Sequence, residues 1–280
     1  LLDTGELFRL WVIEGPETVR EELPLDRVGI NVVWTQDMTP YRTRKVRILN
    51  GIHTMCAPIA LASGIETVRE ALLDPLLASF IRKTLYEEII PVLEMPREEL
   101  ETYAASVLER FSNPFIKHHW SSIALNSCSK FRARVLPTIL EYQEKFSRPP
   151  RNLSFSFAAL LSYYRGSLEP EQSHALKDDP GVIEFFRSHW SKAMGLKASR
   201  SNGSTKGERE GFSSDGSSSI GGSPRNVDPA EMYSLVQATL SESTLWGIDI
   251  SSPSLVKEVS QHLVCILQEG MHSSLQQILQ

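Results

Sequence analysis

The 280-residue chain is 41% hydrophobic and 22% charged, ordinary for a folded protein and enough to bury a sizeable core. A net charge of −5 and a pI near 5.9 disfavour a general nucleic-acid-binding surface. Cys56, Cys128 and Cys265 are odd in number and widely spaced, which argues against a disulfide framework and for a reducing, cytoplasmic setting. No apolar run approaches the roughly 18 residues of a spanning helix, so no membrane partner is expected. The chain opens on Leu1 rather than Met and enters strand-like sequence at once, which reads as a piece beginning inside a longer protein.

Residues 7–14, LFRLWVIE, form a β-branched and aromatic run closed by Gly15-Pro16, and 29–35, GINVVWT, repeat that character. Both read as buried strands, with Glu17–Leu23 between them as a short helix or an acidic loop. From residue 41 the period becomes helical. Helices are expected at 41–63, stopped by Gly64, then at 67–73, 75–93 and 97–111, the last ended by Ser112-Asn113-Pro114. A long segment at 118–143 is expected to bend or break near Pro137, and 153–165, apolar on most faces, is expected at the centre. Further helices follow at 180–194, 229–241 and 254–279. Residues 198–226, dominated by serine and glycine, read as a flexible insertion. The fold class is therefore mainly α, with residues 1–40 a strand-bearing piece and 41–280 a helical domain.

The richest segment for chemistry is Tyr41–Gly64. At about 100° per residue, Ile48, Leu49, Ile52, Met55, Cys56 and Ile59 share one arc of a helix. With Lys45 at zero, His53 falls near roughly 80° and Asn50 near roughly 140°, one polar sector beside the apolar stripe. Arg47 and Thr54 are expected to face solvent. One reading is a snorkelling lysine, a locally bonded asparagine and a satisfied core histidine. The other is a desolvated Lys45 acting as general base, an Asn50 amide holding an oxygen, and a His53 imidazole bonding a second hydroxyl. That equipment would move a proton on and off a secondary alcohol. The helix-weakening Asn50-Gly51 pair points to a packing or functional reason in either case.

A second group, Lys117, His118 and His119 with Lys130 further on, suits an anionic ligand such as a carboxylate, or else a solvated basic turn. Metal is not expected, since neither the His53/Cys56 pair nor His118-His119 has a third ligand at a recognisable spacing. The sequence contains no GxGxxG, GxxxxGK[ST] or GxSxG motif.

Lys45-x4-Asn50-x2-His53, set in KVRILNGIHT, resembles the signature of the mannitol dehydrogenase family of polyol-specific long-chain dehydrogenases. The likeness extends through FRLWVIEG, RFSNPFIKHHWSSIALNSCSKFRARVLPTIL and STLWGIDI, nearly the whole chain except 198–226. It implies a Rossmann-like NAD domain, of which residues 1–40 would be the last strands, followed by a helical substrate domain. It also implies metal-free hydride transfer between NAD and a small sugar acid or polyol. Lys45 would be the general acid/base, Asn50 the holder of the reacting oxygen and His53 the residue that positions substrate, with Lys130 also binding it. The family's glycine-rich NAD loop would lie before Leu1. Mannitol-type members carry an acidic residue where this chain has Arg42, and Asp and Arg where it has His118 and Ser122. The Lys117-His118 pair resembles the uronate-reducing branches, and with Arg42 it fits a substrate carboxylate without separating tagaturonate from fructuronate; the overall resemblance implies interconversion of altronate and tagaturonate. Fructuronate or mannitol chemistry, or a non-catalytic helical module, are the alternatives.

Overall fold

The computed structural model describes residues 10–168, 176–195 and 227–280. The expected insertion at 198–226 lies outside them. Strand β1 (Trp11–Glu14) pairs in parallel with β2 (Val32–Thr35), Trp11 opposite Val32 and Glu14 opposite Thr35. Helix α1 (Glu17–Glu22) and a 3-10 turn (Leu25–Val28) make the crossover, so the region between the strands is helical rather than an acidic loop.

The next element runs without a break as α2 (Thr39–Arg44), a π-helical stretch (Lys45–Asn50) and α3 (Gly51–Ala62). Ile48, Ile52, Met55, Cys56 and Ile59 are fully buried, so the apolar stripe is the core face and Cys56 is a packed thiol. Gly64, at φ 72°, follows its end as a left-handed stop. Then come α4 (Val68–Leu73), α5 (Pro75–Thr84), a second π stretch (Leu85–Ile89) and α6 (Arg97–Phe111). Thr67 and Glu70 form a reciprocal capping box at the start of α4.

The segment expected as one helix at 118–143 is three: α7 (Trp120–Ile123), α8 (Ser127–Arg134) and α9 (Leu136–Phe146). Asn126 takes φ 53° immediately before α8 and separates it from α7, while Val135, not Pro137, separates α8 from α9; Pro137 occupies the first turn of α9, where its missing N–H costs nothing. Helix α10 (Arg151–Tyr164) is buried from Asn152 to Leu161 and packs on α3 and on α14 (Pro253–Glu269). Between them lie α11 (Pro180–Ala193), α12 (Pro229–Leu240) and a short α13 (Ser243–Trp246) that the sequence pattern did not reveal. Gly270, at φ 84°, cuts the last expected helix into α14 and α15 (Met271–Leu279).

Polar side chains join the central helices to one another. Ser156 donates to the Met55 carbonyl of α3 at 2.8 Å, and Trp246 donates to the Thr239 carbonyl at 2.7 Å. Glu88 is buried and accepts the backbone N–H groups of Asn152 and Leu153, both at 2.8 Å. A carboxylate there satisfies donors that the first turn of α10 leaves open and meets the positive end of its dipole. Among the described residues no helix is long and apolar enough to cross a membrane.

Candidate active site

Lys45 and Asn50 open and close the π-helical stretch. Its i→i+5 hydrogen bonds wind the chain less per residue than an α-helix does, which brings residues five apart closer to register. The two side chains therefore line the same cleft, whereas ideal α-helical geometry sets them far apart around the axis. The cleft has a volume of about 880 Å³ and lies between the strand layer and a helical side made by α2, the π-helical stretch and α6. Trp11, Val12, Ile30 and Asn31 form its strand side, and Tyr41, Arg42, Arg44, Tyr103 and Arg110 complete the helical side.

His53, two turns along from Lys45, opens onto a neighbouring cleft of about 270 Å³ with Val68, Phe111, Ile116 and His118. Leu49 and Arg110 line both clefts, so they form the wall the two share. The His53 ring lies 4.4 Å from Phe111 and 4.9 Å from His118, centroid to centroid. Burial, and then the nearby His118, Arg134 and Arg110, hold its pKa down at about 3, so it is a neutral imidazole. Its Nε2 is buried without a hydrogen-bond partner among the described residues. A buried ring nitrogen left in that state costs free energy unless something binds there. His118, which is exposed, is also shifted down, by burial and by His119.

Lys45 itself is exposed, so the described residues do not supply the desolvation that the sequence pattern suggests. Arg42 is exposed too and lines the Lys45 cleft. Lys117 is exposed and lines neither cleft, and Lys130 also lines neither, since its ammonium donates to the Ile123 carbonyl at 2.9 Å. The expected basic group is thus divided: Arg42 and His118 reach the clefts, and Lys117 and Lys130 do not.

Arg47 and Thr54 correct the helical-wheel reading, because both are buried rather than facing solvent. Arg47 donates to Thr138 Oγ1 at 2.9 Å and to Glu141 Oε1 at 2.6 Å, both on α9. The Thr54 hydroxyl donates to the Asn50 carbonyl at 2.9 Å and faces Arg134 of α8. Helices α8 and α9 cover the side that the wheel assigned to water. A Cβ at Gly51 would sit 3.4 Å from the Arg134 carbonyl oxygen, ordinary contact. Helix α8 therefore leaves room there for a methyl group and little for a longer side chain.

Arg44, Tyr103 and Arg110 belong to the site and were not singled out from the sequence. Arg44 is buried, its guanidinium 4.4 Å from the Tyr103 ring centroid and 5.3 Å from that of Tyr41. Tyr103 and Arg110 are seven apart on α6, a spacing that puts them on one face. That spacing was legible, but which element the face meets was not. Among the described residues the larger cleft is lined by four cations, Arg42, Arg44, Lys45 and Arg110, and by no acidic residue.

A family profile described as the mannitol dehydrogenase C-terminal domain matches residues 37–201. The altronate oxidoreductase of Bacillus subtilis is 39% identical over 278 residues, 99% of this chain and 49% of the relative. That of Yersinia enterocolitica is 38% identical over 274 residues, 98% of this chain and 50% of the relative. The chain thus spans about half the length of the curated relatives it matches. In fold it resembles mannitol 2-dehydrogenase of Pseudomonas fluorescens, solved as a ternary complex with NAD and D-mannitol. The TM-score is 0.66 at 22% identity, over 90% of this chain and 43% of that one. A D-sorbitol dehydrogenase in substrate-free form gives 0.61 at 21% identity, over 90% of this chain and 43% of that one.

Proposed function

Because the chain belongs to the mannitol dehydrogenase C-terminal domain family, we propose that it is the substrate-binding part of an NAD-linked oxidoreductase acting on a sugar acid. The substrate pair proposed is altronate and tagaturonate. The observation that carries the acid over a neutral polyol is the cleft beside Lys45, whose lining among the described residues holds four cations and no carboxylate. A substrate carboxylate is attracted there, and a neutral hexitol gains nothing from the charge.

In oxidation Lys45, as the neutral amine, takes the hydroxyl proton while the hydrogen on the same carbon leaves as hydride; in reduction the ammonium returns the proton. Asn50, five residues on in the same cleft, donates its amide N–H to the reacting oxygen and holds it near the lysine. His53 uses its open Nε2 on a further hydroxyl, and a neutral ring can donate or accept there. Trp11, Val12 and Tyr41 give the cleft an apolar and aromatic wall that fits a nicotinamide ring, and NAD when bound supplies the hydride acceptor or donor. The described residues contain no glycine-rich loop for its pyrophosphate. Residues 1–40 are proposed as the end of a Rossmann-like domain, which the parallel β1–β2 pair joined through a helix supports, and 41–280 as the substrate domain.

The test is a set of steady-state rates for the complete protein carrying this chain, with tagaturonate, fructuronate and fructose as oxidants of NADH. The expected order puts tagaturonate first and the neutral sugar last. A preference for fructose would overturn the sugar-acid reading, and no activity on any of them would overturn the oxidoreductase.

A further inference from the structure

We infer that Arg110 anchors the substrate carboxylate and thereby sets the preference for a sugar acid over a neutral polyol. This rests on the sugar-acid reading above. Among the described residues Arg110 is the one cation in the lining of both clefts, with Lys45 and Asn50 on one side and His53 and His118 on the other. A linear sugar acid whose reacting carbon sits at Lys45 and Asn50 must run its remaining carbons along or past this shared wall. Arg110 is half-buried, on the same face of α6 as Tyr103.

The other cations suit the task less well. Arg44 is buried with its guanidinium against Tyr41 and Tyr103. Arg42 is exposed and reaches only the Lys45 cleft, and Lys117 and Lys130 line neither. Lys45 is committed to the proton. A planar guanidinium also matches a carboxylate with two parallel hydrogen bonds, which an ammonium cannot do.

The competing explanation is structural: Arg110 lies in the last turn of α6, where a cation complements the helix dipole. Arg110→Lys keeps that charge and loses the fork, and Arg110→Met loses both. In the complete protein, Arg110→Met is expected to raise KM for tagaturonate by about 100-fold, with kcat changed less than about tenfold. The loss on fructose should be smaller, so that the ratio of kcat/KM for tagaturonate to that for fructose falls at least about tenfold, with the melting temperature within a few degrees. Arg110→Lys should raise KM for tagaturonate by about tenfold, and it carries the test if the methionine variant fails to fold. Unchanged KM in the lysine variant, or parallel loss on both substrates, would overturn the anchor while leaving the sugar-acid reading intact. A wild type inactive on sugar acids would overturn both.

Discussion

Glu88 and His53 are both buried titratable side chains within one helical domain, and their surroundings treat them oppositely. Glu88 accepts two backbone N–H groups at the start of α10, so its polar oxygens are in use before any ligand arrives. His53 is packed by Phe111, His118 and Trp120, yet its Nε2 has no partner among the described residues. One group joins two helices, and the other faces a cleft. Buried polar groups that only hold a fold together are normally satisfied, so an open one beside a cavity is a candidate position for a ligand.

Four experiments press on this contrast. The largest expected effect is on the site side: Lys45→Ala in the complete protein should lower kcat by about 10²–10⁴. Because Lys45 is exposed, its melting temperature should hold, and near-normal turnover would remove Lys45 from the chemistry. On the structural side the pattern reverses. Glu88→Ala leaves two N–H groups of α10 without their acceptor and should cost roughly 2–3 kcal/mol in urea unfolding. Its kcat should be unchanged at temperatures where the variant is folded, and a selective loss of kcat would place Glu88 in the site.

The third experiment follows stability against pH, where the two groups pull in opposite directions. Burial holds His53 at about 3 in the fold, well below its usual value near 6.5. The unfolded chain therefore binds the extra proton first, and this contribution is present above about pH 6.5 and lost as pH falls toward 3. Burial raises Glu88 from its usual 4.5 to about 7, outweighing the two N–H bonds that favour the charged form. The folded state holds that proton longer, so its contribution is present below about pH 4.5 and lost as pH rises toward 7. Between about pH 4.5 and 6.5 the two slopes oppose. Glu88→Gln removes one of them, and its unfolding free energy should then rise with pH across that window, relative to wild type, by up to about 1.4 kcal/mol per unit. Parallel curves for the two proteins would show that Glu88 does not titrate there.

The smallest effect is expected at Gly51. Its added Cβ meets the Arg134 and Val46 carbonyl oxygens at 3.4 and 3.5 Å, ordinary contact, so Gly51→Ala should gain up to about 1 kcal/mol from helix propensity. Gly51→Leu has no such room and should lower the melting temperature. If leucine is tolerated, the close approach of α8 does not restrict side-chain size at this position.

The helices were legible because burial demands periodicity. The stripe from Ile48 to Ile59 is the core face, and the nearly all-apolar 153–161 is central. The breaks were harder to read. Nothing local distinguishes Asn126 as a left-handed residue from an asparagine on a helix surface, and Gly270 stands in a run whose apolar spacing continues on both sides. Within the site, the KVRILNGIH segment showed Lys45, Asn50 and His53 as a polar sector. The π-helical winding, which sets Lys45 and Asn50 in one cleft, could not be read from a 100° wheel. The same wheel sent Arg47 and Thr54 to water because it contains no α8 or α9.

The sequence by itself determined the helical class and the core face of the long helices, and it singled out the candidates for the chemistry, since these follow from periodicity and from side-chain type along one segment. Only the tertiary structure decided that Arg110 stands between the two clefts, that Lys117 and Lys130 stay out of them, and that the Nε2 of His53 is buried and open. The physical reason is that pattern shows which face of a helix seeks cover and not what covers it. A cleft is made by residues far apart in the chain, here Trp11, Lys45 and Arg110, and no local preference encodes their meeting.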